Sequence, residues 1–229
     1  LFPILATSCA IIDTSGLETA ETIPDGKFKL AMESSIGTEL LFSAEQFDQD
    51  TLIDFQESAA APIGAINFGM GLDEKSDVHF KAWGSGFGGI GFRLFIKTKL
   101  KSKNENVIRA IAPGLNFLKY DGNDSAHSRT ESVRSYGFEI PYIQTRKHGK
   151  YVSTTGTIRY GFDQLLVDSE INDDLDTKEY SLHRFGVIGG ISLKYKQLPG
   201  LRICVGVEVL SPMNGLYSHS PIFGIGIVF

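Results

Sequence analysis

The feature that most constrains this chain is the alternation of apolar and polar residues along nearly its whole length. The clearest stretch is 201–210, where Ile203, Val205, Val207 and Val209 form one face and Arg202, Cys204, Gly206 and Glu208 form the other. A period of two is typical of a half-buried β-strand. The same pattern predicts ten strands, at 28–42, 63–72, 78–84, 89–99, 107–120, 136–142, 152–163, 184–195, 201–210 and 223–229. Only 43–61, which carries five acidic residues, is expected to be helical or irregular.

Composition excludes several classes of protein. Glycine accounts for 25 of 229 residues, about 11% against a usual ~7%, which favours strands and turns over helix bundles. The net charge of −5 argues against a general nucleic-acid binder. The longest stretch without a charged residue, 209–229, is interrupted by Pro212 and Pro221. A helical membrane span is therefore excluded, but a membrane barrel is not.

The connections between the predicted strands alternate in length. Long ones at 211–220, 167–178, 121–135 and 43–61 alternate with shorter ones at 197–200, 147–150, 101–106 and 73–77, with 85–88 as a short exception. Short turns at one rim and long loops at the other are typical of outer-membrane barrels. The predicted fold is all-β, an up-and-down antiparallel transmembrane β-barrel of ten strands. An even strand number places both chain ends at the short-turn rim.

Two stretches carry a family resemblance. The last strand, which ends on Phe229, resembles the C-terminal strand of bacterial outer-membrane barrels, whose terminal aromatic residue is read by the barrel assembly machinery. The succession 71–80, 88–94 and 112–117 resembles the hairpins of small, OmpA-like outer-membrane β-barrel domains. The resemblance implies a bacterial outer-membrane location, contact with outer-membrane lipid and lipopolysaccharide, and Phe229 as an assembly signal. It says almost nothing about activity or oligomeric state.

In a membrane barrel the apolar faces meet lipid and the polar faces line the lumen. The predicted lumen residues, eight basic and four acidic, are Lys29, Glu33, Lys81, Arg93, Lys97, Glu139, Arg159, Asp163, Arg184, Lys194, Arg202 and Glu208. Since a barrel of about eight strands is already filled by side chains, we expect these charges to pair and largely plug the lumen. The alternative is a narrow aqueous conduit that prefers anions, because of the basic excess. If the faces were reversed, the chain would be a soluble lipocalin-like barrel that binds an apolar ligand.

The first residues suggest a compartment. The apolar run before Ala6-Thr7-Ser8-Cys9 resembles the end of a bacterial lipoprotein signal peptide, in which the cysteine is lipidated. The alternative is an apolar segment with one free thiol. We therefore divide the chain into a signal-peptide remnant and tether at 1–26 and a barrel domain at 27–229, with Cys9 as the lipidation site.

Candidate catalytic motifs are weak. The run Gly84–Gly89 matches the dinucleotide fingerprint formally, but a strand follows it where the pyrophosphate needs a helix. The pairs His127-Ser128 and His219-Ser220 lie in predicted outer loops. They leave open an outer-membrane enzyme that acts on lipid A or peptide at the extracellular rim, although sequence neighbours seldom face each other as nucleophile and base. We expect no enzyme activity, cofactor or metal site.

Overall fold

The structure is a computed structural model that describes residues 6–12, 17–47, 50–85, 89–124, 129–171, 174–195, 198–212 and 218–229. The strands in these ranges are β1 (Ala6–Ile12), β2 (Phe28–Phe47), β3 (Asp50–Gly71), β4 (Ser76–Ser85), β5 (Ile90–Leu100), β6 (Val107–Ile111), β7 (Gly114–Asp124), β8 (Arg129–His148), β9 (Val152–Ile171), β10 (Asp174–Leu193), β11 (Gly200–Pro212) and β12 (Ser218–Val228). Within these ranges no helix has the length and apolar character to cross a membrane.

The sheet closes into a barrel of ten antiparallel strands. Each strand from β2 to β12 pairs with its neighbours in sequence, and β6 and β7 together occupy one position between β5 and β8. Pairing of β12 with β2, from Phe223 opposite Ile36 to Val228 opposite Ala31, completes the circle. The prediction of an up-and-down ten-stranded barrel is confirmed.

The strands on one side of the barrel are longer than predicted. Residues 43–61, expected to be helical or irregular, instead continue β2 and β3, and that expectation is wrong. A register shift between Leu41 and Phe42 interrupts the β2–β3 ladder, and a bulge of this kind breaks the alternation from which a strand is recognised. Parts of the predicted loops 121–135 and 167–178 are likewise strand, in β7 to β10.

The outward face of the barrel carries an apolar belt. Ile203, Val205 and Val207 of β11 are 40%, 57% and 45% exposed. On β10 the belt runs from Phe185 to Leu193, roughly nine residues, close to the ~9–11 that a tilted strand needs to cross a bilayer. Beyond both ends of this run the outward residues are polar or aromatic, as at His183 and Tyr195.

Beyond the belt, toward the rim opposite the short turns, the polarity of the two faces of the sheet reverses. The inward residues there form a buried apolar cluster of Leu118, Val133, Leu165, Val167, Tyr180, Leu182 and Leu210. The outward residues are polar: Arg134 Nη2 lies 2.7 Å from Asp168 Oδ2, and Thr177 donates to Asp168 Oδ1 at 2.8 Å. Partial burial raises the pKa of Asp168, but hydrogen bonds from Thr177, Arg134 and Ser132 outweigh it and hold that pKa below its usual value. This part of the barrel therefore has the inside and outside of a water-soluble protein.

A charge placed on the belt tests this assignment. We expect Val205→Lys to destabilise the barrel folded into vesicles by about 2–4 kcal/mol, because the ammonium would lie near the bilayer midplane. The measurement is urea unfolding of the vesicle-folded protein, with Val205→Leu as the matched control. Equal stability of the Lys and Leu variants would contradict a lipid-facing belt.

Candidate functional site

The candidate functional site is the barrel interior, where the structure collects most of the predicted lumen residues. Nine of the twelve are buried: Glu33, Lys81, Arg93, Lys97, Glu139, Arg159, Asp163, Arg184 and Glu208. Lys29 and Arg202 line the same interior and are partly buried. Lys194 differs from the prediction, since it is exposed beyond the last residue of β10. The alternation in the sequence continues past Leu193, but the strand ends there.

A network centred on Arg184 crosses the middle of the barrel. Its guanidinium reaches Asp163 at 2.5 Å, Glu139 at 3.3 Å and Glu208 at 3.4 Å. Two further arginines complete the network: Arg159 lies 3.0 Å from Glu208, and Arg93 lies 3.1 Å from Glu139. Three guanidinium groups thus face three carboxylates, so the network is neutral as a unit.

Glycines on neighbouring strands give these long side chains their space. A Cβ atom at Gly161 would lie 2.9 Å from Arg184 Nη2, and one at Gly186 would lie 2.8 Å from Arg159 Nε. Each arginine therefore lies across a strand that presents no side chain at that level. The high glycine content serves close packing of the interior as well as turns.

A second cluster lies nearer the short-turn rim. Asp77 Oδ2 lies 3.2 Å from Lys97 Nζ, and Asp77 Oδ1 lies 3.1 Å from His79 Nε2. The His79 ring stacks on Phe95 with 4.6 Å between ring centroids. Two residues beyond His79 on β4, Lys81 pairs with Glu33 at 2.6 Å. Sequence reasoning missed Asp77 because it began the strand at residue 78, and it missed His79 because the predicted lumen set contained only lysine, arginine, aspartate and glutamate. The signal was present, since Asp77, His79 and Lys81 occupy alternate positions.

The N-terminal segment, residues 17–24, occupies the barrel interior near the short-turn rim. Leu17 packs against Ile188, Cys204 and Ile222. The amide of Ala20 donates to Thr145 Oγ1 at 2.9 Å, and that of Ile23 donates to Asp77 Oδ2 at 2.7 Å. This segment belongs to the stretch interpreted as a tether from sequence, but it contacts the barrel wall from inside.

The barrel strands are shaped to hold this segment. A Cβ atom at Gly224 would lie 3.3 Å from Leu17 Cδ1, and one at Gly226 would lie 3.2 Å from it. The two glycines therefore leave room for the Leu17 side chain. A turn with Gly26 at φ 65° then reverses the chain into β2, and the amide of Lys27 donates to the carbonyl of Pro24 at 3.0 Å. A positive φ favours glycine at that position. The N-terminal segment is thus integrated with the barrel.

Glu21 fixes the segment at the rim. Its carboxylate lies 2.9 Å from Lys147 Nζ, with both groups nearly half exposed. Partial burial raises the pKa of Glu21, but the hydrogen bond and charge of Lys147 outweigh it and lower that pKa below its ordinary value. The rim contact therefore favours the ionised carboxylate.

The predicted lipidation site lies elsewhere than expected. β1 pairs with β2 so that Cys9 stands opposite Leu41, beyond the apolar belt and on the side of the long strands. The even strand number predicts a position at the short-turn rim instead. The side chain of Cys9 lies outside the described residues, and its lipidation stays a prediction.

Two small cavities lie within the described interior. One cavity of about 10 Å³ adjoins the Arg184 network, and another of about 10 Å³ lies beside residues 18 and 19. Each accommodates about one water-sized sphere.

Of the two candidate catalytic pairs, the one that the structure describes, His219 and Ser220, is not assembled into a site. His219 is exposed and Ser220 is buried, because consecutive strand residues point to opposite faces. His127 and Ser128 lie outside the described residues. The described side chains include no cluster of three or more histidine, cysteine or acidic residues that could hold a metal ion.

Loss of the central arginine tests the network. We expect Arg184→Met to destabilise the barrel by about 3–5 kcal/mol, because three buried carboxylates would lose their shared cation. Urea unfolding measures the loss, and Lys194→Met, which removes an exposed cation, is the matched control. Two variants of equal stability would contradict the network's structural role.

Comparisons with known proteins give distant structural neighbours. No family model and no curated protein matches the chain. Ail, the attachment invasion locus protein of Yersinia pestis, is 10% identical with a TM-score of 0.36, over 90% of this chain and 99% of that one. The copper transporter OprC is 9% identical with a TM-score of 0.37, over 91% of this chain and only 44% of its own length. The outer membrane channel DcaP of Acinetobacter baumannii is 7% identical with a TM-score of 0.23, over 98% of this chain and 97% of that one.

Proposed function

We propose that the chain is an integral β-barrel protein of a bacterial outer membrane with a structural, non-enzymatic role and a closed lumen. The observation that carries this proposal is the pairing of an outward apolar belt with an inward set of buried charges. Lys81, Arg184 and Glu208 are at most 1% exposed, whereas large aliphatic and aromatic side chains cover the outside. A water-soluble protein rarely exposes an apolar patch of that extent.

The lipocalin-like alternative requires the opposite arrangement. Such a barrel would hold an apolar ligand between inward-facing Ile203, Val205 and Val207, but these three side chains point outward. The interior at their level is occupied by charged groups and the N-terminal segment. This geometry favours a membrane barrel.

Three successive layers support a closed lumen. The N-terminal segment occupies the end at the short-turn rim, the Arg184 network crosses the middle, and the apolar cluster around Leu165 fills the end beyond the belt. An apolar constriction disfavours water and ions even where a gap remains. The closed, structural barrel is therefore favoured over a conduit.

The charge balance also removes the main argument for an anion conduit. Glu18 and Asp77 join the interior acids and Lys194 leaves the interior bases. The described interior then has seven bases and six acids, against the eight and four expected from sequence. A nearly balanced interior favours ion pairing over selective conduction.

The surface partners follow from the proposed location. Lipid would cover the belt, and lipopolysaccharide would adjoin the polar band above it. Phe229, 61% exposed with its amide donating to the carbonyl of Leu30 at 2.8 Å, is presented at the short-turn rim. We assign it the role of signal to the barrel assembly machinery. The proposed organisation needs no cofactor.

The membrane assignment has a direct test. We expect the folded protein to require detergent for solubility and to migrate differently on gels before and after heating, because a closed barrel resists unfolding by detergent. The experiment compares unheated and heated samples and phase partitioning in detergent. A monomer soluble without detergent would contradict the proposal.

The closed lumen can be tested with the native thiol of Cys204, which is buried inside the barrel. In a Cys9→Ser background folded into vesicles, we expect a membrane-impermeant maleimide to label Cys204 only after unfolding. Lys194→Cys, at the exposed rim, is the control position that labels at once. Rapid labelling of Cys204, or a steady current across a planar bilayer, would show an open lumen.

A further inference from the structure

The interior cations fall into two groups. Five of them lie within ion-pair distance of a buried carboxylate: Lys81, Arg93, Lys97, Arg159 and Arg184. The ammonium of Lys29 makes no hydrogen bond or ion pair with the residues that the structure describes. Arg202 donates only to neutral oxygens, the carbonyl of Leu17 at 2.8 Å and Thr19 Oγ1 at 3.4 Å.

These two cations line the same cavity. Lys29 and Arg202 share it with Lys97, His79, Asn67, Thr19 and Glu18. Arg202 and Lys97 act on Lys29 as like charges, whereas Asp77 and Glu21 attract it from a distance. Arg202 is attracted in the same way by Glu33, Glu18 and Glu21. Partly desolvated cations without a counter-ion are unfavourable, and repulsion between them adds to that cost. The cavity wall carries Lys29, Lys97 and Arg202 against a single carboxylate, Glu18, so positive charge is in excess there.

The neutral groups on the cavity wall can supply donors. The Thr19 hydroxyl accepts from Arg202 and keeps its own hydrogen to donate. Asn67 Oδ1 bonds with His79 Nδ1 at 3.1 Å, so its NH₂ group remains available. Two cations and two neutral donors form a chemically suitable environment for an anion.

The size of the cavity restricts which anion fits. Its volume of about 10 Å³ corresponds to about one probe sphere, the space of a single water. A monatomic halide is of that scale, whereas sulfate, phosphate and organic carboxylates are larger. Glu18, whose Oε1 lies 3.7 Å from Arg93 Nη1, is the one acid on the wall and opposes anion binding.

We propose that this cavity binds a single halide ion, chloride in ordinary salt, between Lys29 and Arg202. The N-terminal segment provides the Thr19 hydroxyl as a donor and holds Arg202 through the Leu17 carbonyl, while β2, β3 and β11 provide Lys29, Asn67 and Arg202. The ion consequently joins the N-terminal segment to the barrel wall. This inference concerns the folded chain and does not depend on its role in the membrane.

Anion-dependent unfolding of the full-length protein tests the proposal. Urea unfolding in a nonionic detergent is followed by fluorescence of Trp83, the single tryptophan, in sodium chloride, sodium bromide or sodium gluconate at equal ionic strength. We expect chloride and bromide to stabilise the fold and gluconate not to. Above the dissociation constant, each tenfold rise in chloride should raise the folding equilibrium constant about tenfold.

Matched variants locate the ion. Lys29→Met and Arg202→Met should abolish the chloride effect, and Lys29→Met should be at least as stable as the natural chain in gluconate because an unpaired cation is gone. Lys194→Met should keep the full effect, and Glu18→Gln should tighten chloride binding. The proposal is overturned if the natural chain unfolds alike in chloride and gluconate, or if Lys29→Met and Arg202→Met both keep the chloride effect. In a crystal grown with bromide, an anomalous peak between Lys29 and Arg202 would support it.

Discussion

The ion-pair network around Arg184 is the interaction on which the rest of this barrel depends. Closing ten strands into a circle brings their polar faces into a narrow space from which bulk water is largely excluded, so charges there must be neutralised by one another. Arg184 meets three carboxylates from three different strands, and Arg159 and Arg93 share two of those carboxylates. This coupling fixes β8, β9, β10 and β11 in one register, because a slip by one residue would move the charges of that strand to the outer face of the sheet.

The belt and the interior were predictable from sequence because a strand has a simple period. The alternation around Val205 is enough to place apolar side chains on one face and Arg202, Cys204 and Glu208 on the other, and the structure has this arrangement. Two features were not predictable in this way. The bulge near Leu41 concealed the outer half of β2, and Lys194 continued the pattern beyond the end of its strand.

The position of the N-terminal segment had no local signal at all. Arg202 and Leu17 are 185 residues apart in the chain, and Thr145 and Ala20 are 125 apart. A polar stretch that precedes a barrel resembles a tether whenever its hydrogen-bond partners lie in distant strands. Long-range contacts of this kind decide its location, and only the closed barrel creates them.

The reversal of polarity along the strands explains how one sheet can serve two environments. Within the belt the barrel is apolar outside and charged inside, and above it the same strands are polar outside and apolar inside. On β9 the change falls between Phe162 and Gln164 on the outer face and between Asp163 and Leu165 on the inner face. The two changes lie at the same level, so both faces of the strand change polarity at the boundary of the belt. In the proposed location, a membrane surface at that level accounts for the change on the outer face, because the solvent changes there from lipid to water. On the inner face, ion pairs give way at the same level to a packed apolar core.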